Sequence, residues 1–380
     1  MKHSVVIAGS LAQRPQHGGH TWVFLQYLLG FRQLGWDIHF IDSIEPMLCV
    51  DTTGERSLPK DSINVTRFLS VMERFGLGSN YTLQCGDHTW GLPRQQMLER
   101  VRSADFFLNV MGFIRDEAIL SAAQHRVFLD IDPGFSQMWH ALGLSDIFQG
   151  HDQFVTIGEN IGSSGCSIPT CDISWITSPQ PVALSEWPKQ TTDSRTMTSI
   201  ASWRGPFGPI EYQGTTYGLR VHEFRKFAAL PTLTDTRCQL ALDIHSAESV
   251  DLEMLQRNKW ELLDPVVCAG DPWRYRDFVQ QSGAELMVAK HIYVATRSGW
   301  FSDRSICYLA SGRPVLAQQT GWKFPSGEGL LGFTNLEEAV EGCREIFADY
   351  AVHAKAARDL AVECFDSNVV LTRLLTKLGI

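Results

Sequence analysis

The chain has 380 residues, 44% of them apolar and 20% charged, with 31 glycines and 16 prolines. That is more chain than one hydrophobic core holds, so two domains are expected, and the profile excludes collagen-like, low-complexity and disordered classes. Its 33 Lys and Arg against 42 Asp and Glu give a formal charge of −9 with no basic block, which argues against a nucleic-acid partner.

The opening MKHSVVIAGS carries one short apolar run before Gly9, too brief for a secretory signal, and no window approaches the roughly 18 apolar residues of a membrane span. Cysteines lie at 49, 85, 166, 171, 238, 268, 307, 343 and 364, within apolar runs. Cys166 and Cys171 have no second pair to complete a zinc site, so reduced, mostly buried thiols in a cytoplasmic protein are expected.

Strand-length apolar runs occur at 4–8, 37–42, 105–111, 126–131 and 153–158, with helical patterns at 21–34, 62–75, 95–102 and 116–124. The runs are nearly continuous rather than alternating, which predicts parallel strands covered by helices on both faces. The segment 178–195, SPQPVALSEWPKQTTDSR, has three prolines and supports neither period. It reads as an interdomain linker, dividing a first domain (1–178) from a second (196–352) across residues 179–195. Strands follow at 197–203, 239–244, 285–289 and 314–318, and helices at 221–230, 249–258, 273–282, 303–311 and 336–349. The last segment, 353–380, reads as one long helix packing back on the first domain. The fold class is therefore α/β: two Rossmann-like parallel-sheet domains facing each other across a cleft that receives the ligands.

Three stretches carry candidate chemistry. After the first strand, Gly18 and Gly19 precede a helix and leave backbone N–H groups open to a phosphate or sugar hydroxyl. His20, at that helix start, is a candidate general base held neutral by the dipole. At the end of the run 126–131, Asp130 and Asp132 point to one side, and Asp132 is the second candidate base, with Pro133-Gly134 turning the chain. Glu159 and Asn160 follow the run 153–158 and join Asp130 as acceptor-side candidates. The third stretch, 295–321, reads as turn, helix start, helix, Gly stop and strand. Ser298 and Gly299 make the turn, Ser302 or Asp303 caps the helix, and Arg304 in the first turn offers a fork to a diphosphate. A cation there opposes the dipole, so a bound anion is expected to offset it.

The step Leu309-Ala310-Ser311-Gly312-Arg313-Pro314-Val315-Leu316, followed by Gly327-Glu328-Gly329-Leu330-Leu331, resembles the donor half of GT-B glycosyltransferases. Gly18-Gly19-His20 resembles their N-terminal glycine loop. The paired glutamates that mark many retaining members are absent, and Asp303 lies four residues before Cys307, which falls near the second glutamate's place. The resemblance implies a metal-independent transferase moving a sugar from a nucleotide diphosphate sugar, a co-substrate rather than a cofactor, to a small-molecule or glycan acceptor held by the first domain. A nucleotide-sugar epimerase and an inactive nucleotide-sugar binder are the alternatives. Donor contacts are expected from Gly18, Gly19, Trp203, Arg204, Lys290, Ser298, Gly299, Trp300, Ser302, Asp303, Arg304, Gly321 and Glu328. Arg204 and Lys290 sit at strand ends where positive charge would neutralise a leaving diphosphate.

Overall fold

The computed structural model describes residues 2–380. Eight strands make the first sheet: β1 (Ser4–Gly9), β2 (Asp37–Ser43), β3 (Tyr81–Cys85), β4 (His88–Gly91), β5 (Phe106–Val110), β6 (Arg126–Asp130), β7 (Gln153–Thr156) and β8 (Trp175–Thr177). Their order is β4-β3-β2-β1-β5-β6-β7-β8, and all neighbours are parallel except the β3–β4 hairpin. β9 (Thr196–Ser202) begins the second half, and a small hairpin, β10 (Ile210–Tyr212) with β11 (Thr215–Tyr217), follows it. The second sheet is completed by β12 (Arg237–Asp243), β13 (Glu261–Leu263), β14 (Ala284–Met287), β15 (Val315–Gln318) and β16 (Leu330–Phe333). It runs β13-β12-β9-β14-β15-β16, all parallel. The central strands β5 and β15 are buried along their whole length, because helices cover both faces.

In each sheet the order reverses beside the first strand, between β1 and β5 and between β9 and β14. Open α/β sheets bind ligands at such reversals, outside the strand C-termini. Both C-terminal edges face the cleft between the sheets.

The helix Gly18–Gln33 is the central pillar. Every residue from Thr21 to Phe31 is buried, because it is packed on all sides rather than along one stripe. Trp22 donates its indole N–H to the Pro272 carbonyl at 2.7 Å and packs against Trp187, with ring centroids 4.7 Å apart. Gln26 accepts from the Ala183 amide at 2.7 Å and donates to Cys307 Sγ at 3.6 Å. One helix thus touches the first sheet, the segment between the sheets and the second domain.

That intervening segment is tightly held. The Val182 amide donates to the Phe365 carbonyl at 2.7 Å, and the Val182 carbonyl accepts from Ser367 at 2.9 Å. Buried Arg313, from the step that resembles the glycosyltransferase motif, donates to the Gln190 and Gln280 carbonyls. The chain end differs from the single helix expected. It breaks at 365–366 into Tyr350–Cys364 and Ser367–Leu378, because the Asp366 carboxylate caps the second helix by accepting from Asn368. The last helix lies on Gly18–Gln33 at Gly30, where a Cβ would come within 2.6 Å of Leu371. Both hairpins and the three-residue strands β8 and β13 also fall outside the predicted runs, being too short for a period to register.

The tightest approach between the halves is at Gly18, where a Cβ would lie 2.3 Å from the Asp271 carbonyl oxygen. That neighbour is backbone and cannot rotate away. Gly18→Ala is expected to cost about 1–3 kcal/mol through overpacking. Calorimetry should show a lowered Tm, while Gly78→Ala, with open space around it, leaves Tm unchanged.

Candidate active site

Two cavities open side by side in the cleft. The smaller, about 410 Å³, is roofed by Gly18 and Gly19 and floored by the β9 end at Ala201 and Ser202, with Arg220, Asp243, Asp303 and Arg304 around it. The larger, about 580 Å³, lies on the first-domain side among Ser10, Met111, Asp132, Trp139 and Phe207. His17 and His20 line both. Each cavity is of the size that takes a small organic ligand, which for such sites runs from about 300 to 1,000 Å³.

His20 is fixed by its own strand. Its Nε2 lies 3.0 Å from the Ser10 carbonyl, which can only accept, so Nε2 carries the hydrogen and Nδ1 keeps its lone pair. Burial lowers its pKa to about 4, and the neighbouring Arg14 and His17 act in the same direction. The imidazole is therefore neutral at physiological pH and offers Nδ1 as a proton acceptor.

Asp132, the other candidate base, is already engaged. Its carboxylate accepts from Lys290 Nζ at 2.7 and 2.9 Å and from the Tyr293 hydroxyl. This triad joins the two domains. It corrects two expectations at once: Asp132 is committed to three hydrogen bonds across the domain seam rather than free for a base's work, and Lys290 is turned to Asp132 rather than to a diphosphate. Asp130 is buried beneath, accepting from Gln137 and Thr156 at 2.7 and 2.8 Å, and burial raises its pKa to about 6. It holds the turn and does not line either cavity.

Around Arg304 the local structure follows the expectation but the charge balance does not. Ser302 caps the helix Asp303–Ala310, its hydroxyl accepting from the Arg304 amide at 3.2 Å. The anion expected to offset Arg304 is Glu285, buried on β14, which accepts from its Nε, while Nη1 donates to the Ile200 carbonyl at 2.6 Å. Part of the fork is thus used inside the protein. Nη2 alone is buried without a partner. Asp303 lines the small cavity, with its pKa raised by burial.

The free cation is Arg220, on the wall of the same cavity. Its Nε is buried without a partner, and no ion pair or side-chain hydrogen bond reaches it among the described residues. Burial, then repulsion by Arg304, lowers its pKa to about 10. Two adjacent guanidinium groups with unmet N–H donors are a strained arrangement that an anion would relieve. Arg220 carried little signal in the sequence, since it follows the unpredicted β10–β11 hairpin.

Other expected site residues lie outside both cavities, several of them in the domain seam. Asn160 donates from Nδ2 to the Arg297 and Gly321 carbonyls, each at 2.9 Å, and its amide donates to Ser298 at 3.0 Å. Gly299 and Gly321 have positive φ and lack a Cβ just where Asn160 packs. Trp300 stacks on Tyr293 at 4.4 Å and so steadies the ring that holds Asp132. Ser298, buried, donates to the Tyr293 carbonyl. Trp203 is core, donating to Asp251 at 2.8 Å, and Arg204 pairs with Glu248 on the outer surface. Glu328 is exposed, and Glu159 lines a separate crevice beside Phe301 and Phe365. Gly18, Gly19, His20, Asp303 and Arg304 remain in the small cavity.

No protein-family model matches the sequence, and no curated protein matches it. Solved structures do. The chain superposes over 100% of its length on 100% of an alpha-glucosyltransferase in complex with UDP-glucose and DNA containing an abasic site, with TM-score 0.60 and 11% identity. It also superposes over 99% of its length on 99% of HepE from Anabaena in complex with UDP-glucose, with TM-score 0.58 and 10% identity. The fold is thereby that of GT-B glycosyltransferases, two Rossmann-like domains across a cleft.

The lowered His20 pKa has a thermodynamic consequence. Between about pH 6.5 and 4 the unfolded chain binds a proton at this position that the folded chain refuses, so stability falls as pH drops through that window. His20→Gln removes this component, and its Tm should decline less than wild type between pH 7 and 5. Parallel melting curves across pH would show it, and equal declines would count against a buried neutral His20.

Proposed function

We propose that this chain is a glycosyltransferase that binds a nucleotide diphosphate sugar in the small cavity and an acceptor hydroxyl in the large one. The observation that carries the reading is Arg220, a half-buried cation without a partner beside the glycine-rich helix start. The UDP-glucose bound by the two structural relatives supports a uridine diphosphate sugar as donor. The diphosphate lies against Arg220 and the unpartnered Nη2 of Arg304, and Asp303 and Asp243 accept hydrogen bonds from sugar hydroxyls. Negative charge grows on the diphosphate as the glycosidic bond breaks, so the Arg220 contact strengthens toward the transition state. These guanidinium groups supply the positive charge, and the reading needs no metal ion.

His20 stands where the two cavities meet. Its Nδ1 takes the acceptor proton as the new bond to the sugar forms, and the arriving diphosphate raises its basicity by removing the repulsion of nearby cations. The Asp132–Lys290–Tyr293 triad holds the domains together over the bound pair and excludes water. The acceptor is a small molecule or glycan rather than DNA, in keeping with the net charge of −9 and the lack of a basic block.

Arg220→Ala tests the central claim. Turnover should fall about 10²–10³-fold, as for loss of one preorganised donor to a developing anion. UDP affinity measured by calorimetry should fall with it, while Tm holds or rises because an unpaired, repelled charge has been removed. Wild-type UDP affinity in this variant would overturn the assignment.

A further inference from the structure

We infer that the acceptor is an amphipathic anion, an apolar body bearing a carboxylate or phosphate, recognised by Arg14 and Arg115. The inference rests on the acceptor role given above to the large cavity. Its charged lining is Arg14, Arg115 and Asp132, with His17 and His20. Asp132 is neutralised by Lys290. Neither arginine has an ion pair or side-chain hydrogen bond among the described residues.

The neighbouring cations behave differently. Arg94 takes Asp116 at 2.7 and 3.0 Å, Arg126 takes Asp152, and Arg100 takes Asp37. Asp116, the residue next to Arg115, is further committed to capping a helix through the Ala118 amide. So in a chain of net charge −9 this cavity keeps two guanidinium groups uncompensated, and the carboxylate nearest in sequence is spent elsewhere. Unpaired cations facing a concave, partly apolar site favour a bound anion, since filling the cavity removes the water that screens them.

The apolar requirement comes from the opposite wall. Phe207, on the loop after β9, crosses to the first domain and packs edge-on against Trp139 at 4.8 Å and near Phe135 at 5.5 Å. Phe113 is 37% exposed beside Arg115, and Leu144 is 69% exposed on the loop that supplies Ser145 and Ile147 to the cavity. Arg115 also borders the outer groove of Arg126 and His151, so it marks the end remote from His20. The acceptor accordingly lies with its hydroxyl at His20 and an anionic group toward Arg115. In the transfer its hydroxyl oxygen bonds to the anomeric carbon, the bond from that carbon to the diphosphate oxygen breaks, and the electron pair leaves with the nucleoside diphosphate. The acceptor proton passes to His20 Nδ1 and then to water.

The test is calorimetric binding to the full chain, with and without UDP, of 4-hydroxybenzoate, 4-nitrophenyl phosphate and the neutral methyl 4-hydroxybenzoate. At least one anion should bind about 10-fold more tightly than the ester, the worth of one charge-assisted contact. Whether the carboxylate or the phosphate is preferred identifies the group. Arg115→Gln should abolish the preference without changing UDP affinity or Tm. An ester that binds as well as both anions, no binding of either anion, or a preference that survives in Arg115→Gln overturns the inference. Loss of UDP binding with the anion preference intact would instead sink the glycosyltransferase reading alone, so the two failures are distinct.

Discussion

The contact on which the rest depends is the approach of the Gly18 backbone to the carbonyl of Asp271, with no side chain between them. It seats the start of the central helix against the second domain. From that contact follow the Trp22–Pro272 hydrogen bond and the packing of Trp187. It also sets His17 and His20 on the ridge between two cavities rather than inside either one. The proposed two-substrate transfer needs such a ridge, because the reacting atoms of both partners must come within contact distance.

Charge is distributed to the same end. The cations that stabilise the structure are paired: Arg304 with buried Glu285, Lys290 with Asp132, Arg204 with Glu248. Three cations without an ion pair, Arg220, Arg14 and Arg115, line the cleft. A buried pair such as Arg304–Glu285 adds little net stability, since desolvation offsets attraction. Its effect is to fix one guanidinium as the fixed repulsive neighbour that leaves Arg220 in need of an anion.

Several residues that look catalytic by type are structural by position. Asn160, Gly299 and Gly321 form one seam, and Trp300 braces Tyr293 within it. Their polarity and glycine content serve close backbone approach between domains, the same chemical need that a substrate site has. Sequence pattern alone does not separate the two uses.

The layout is legible along the chain alone. Continuous apolar runs separated by helical periods fix two parallel sheets, and the Pro-rich break at 178–195 separates them, because hydrophobic period and backbone restriction are local properties. The glycine loop at Gly18-Gly19 and the cap at Ser302 were legible for the same reason. Partners were set by packing in three dimensions. It turned Lys290 to Asp132 across 158 positions and Arg304 to Glu285 across 19, leaving Arg220 free, and it split the terminal helix at Asp366. Electrostatic pairing depends on distance in space and on burial, and neither is encoded in the spacing of residues along a chain.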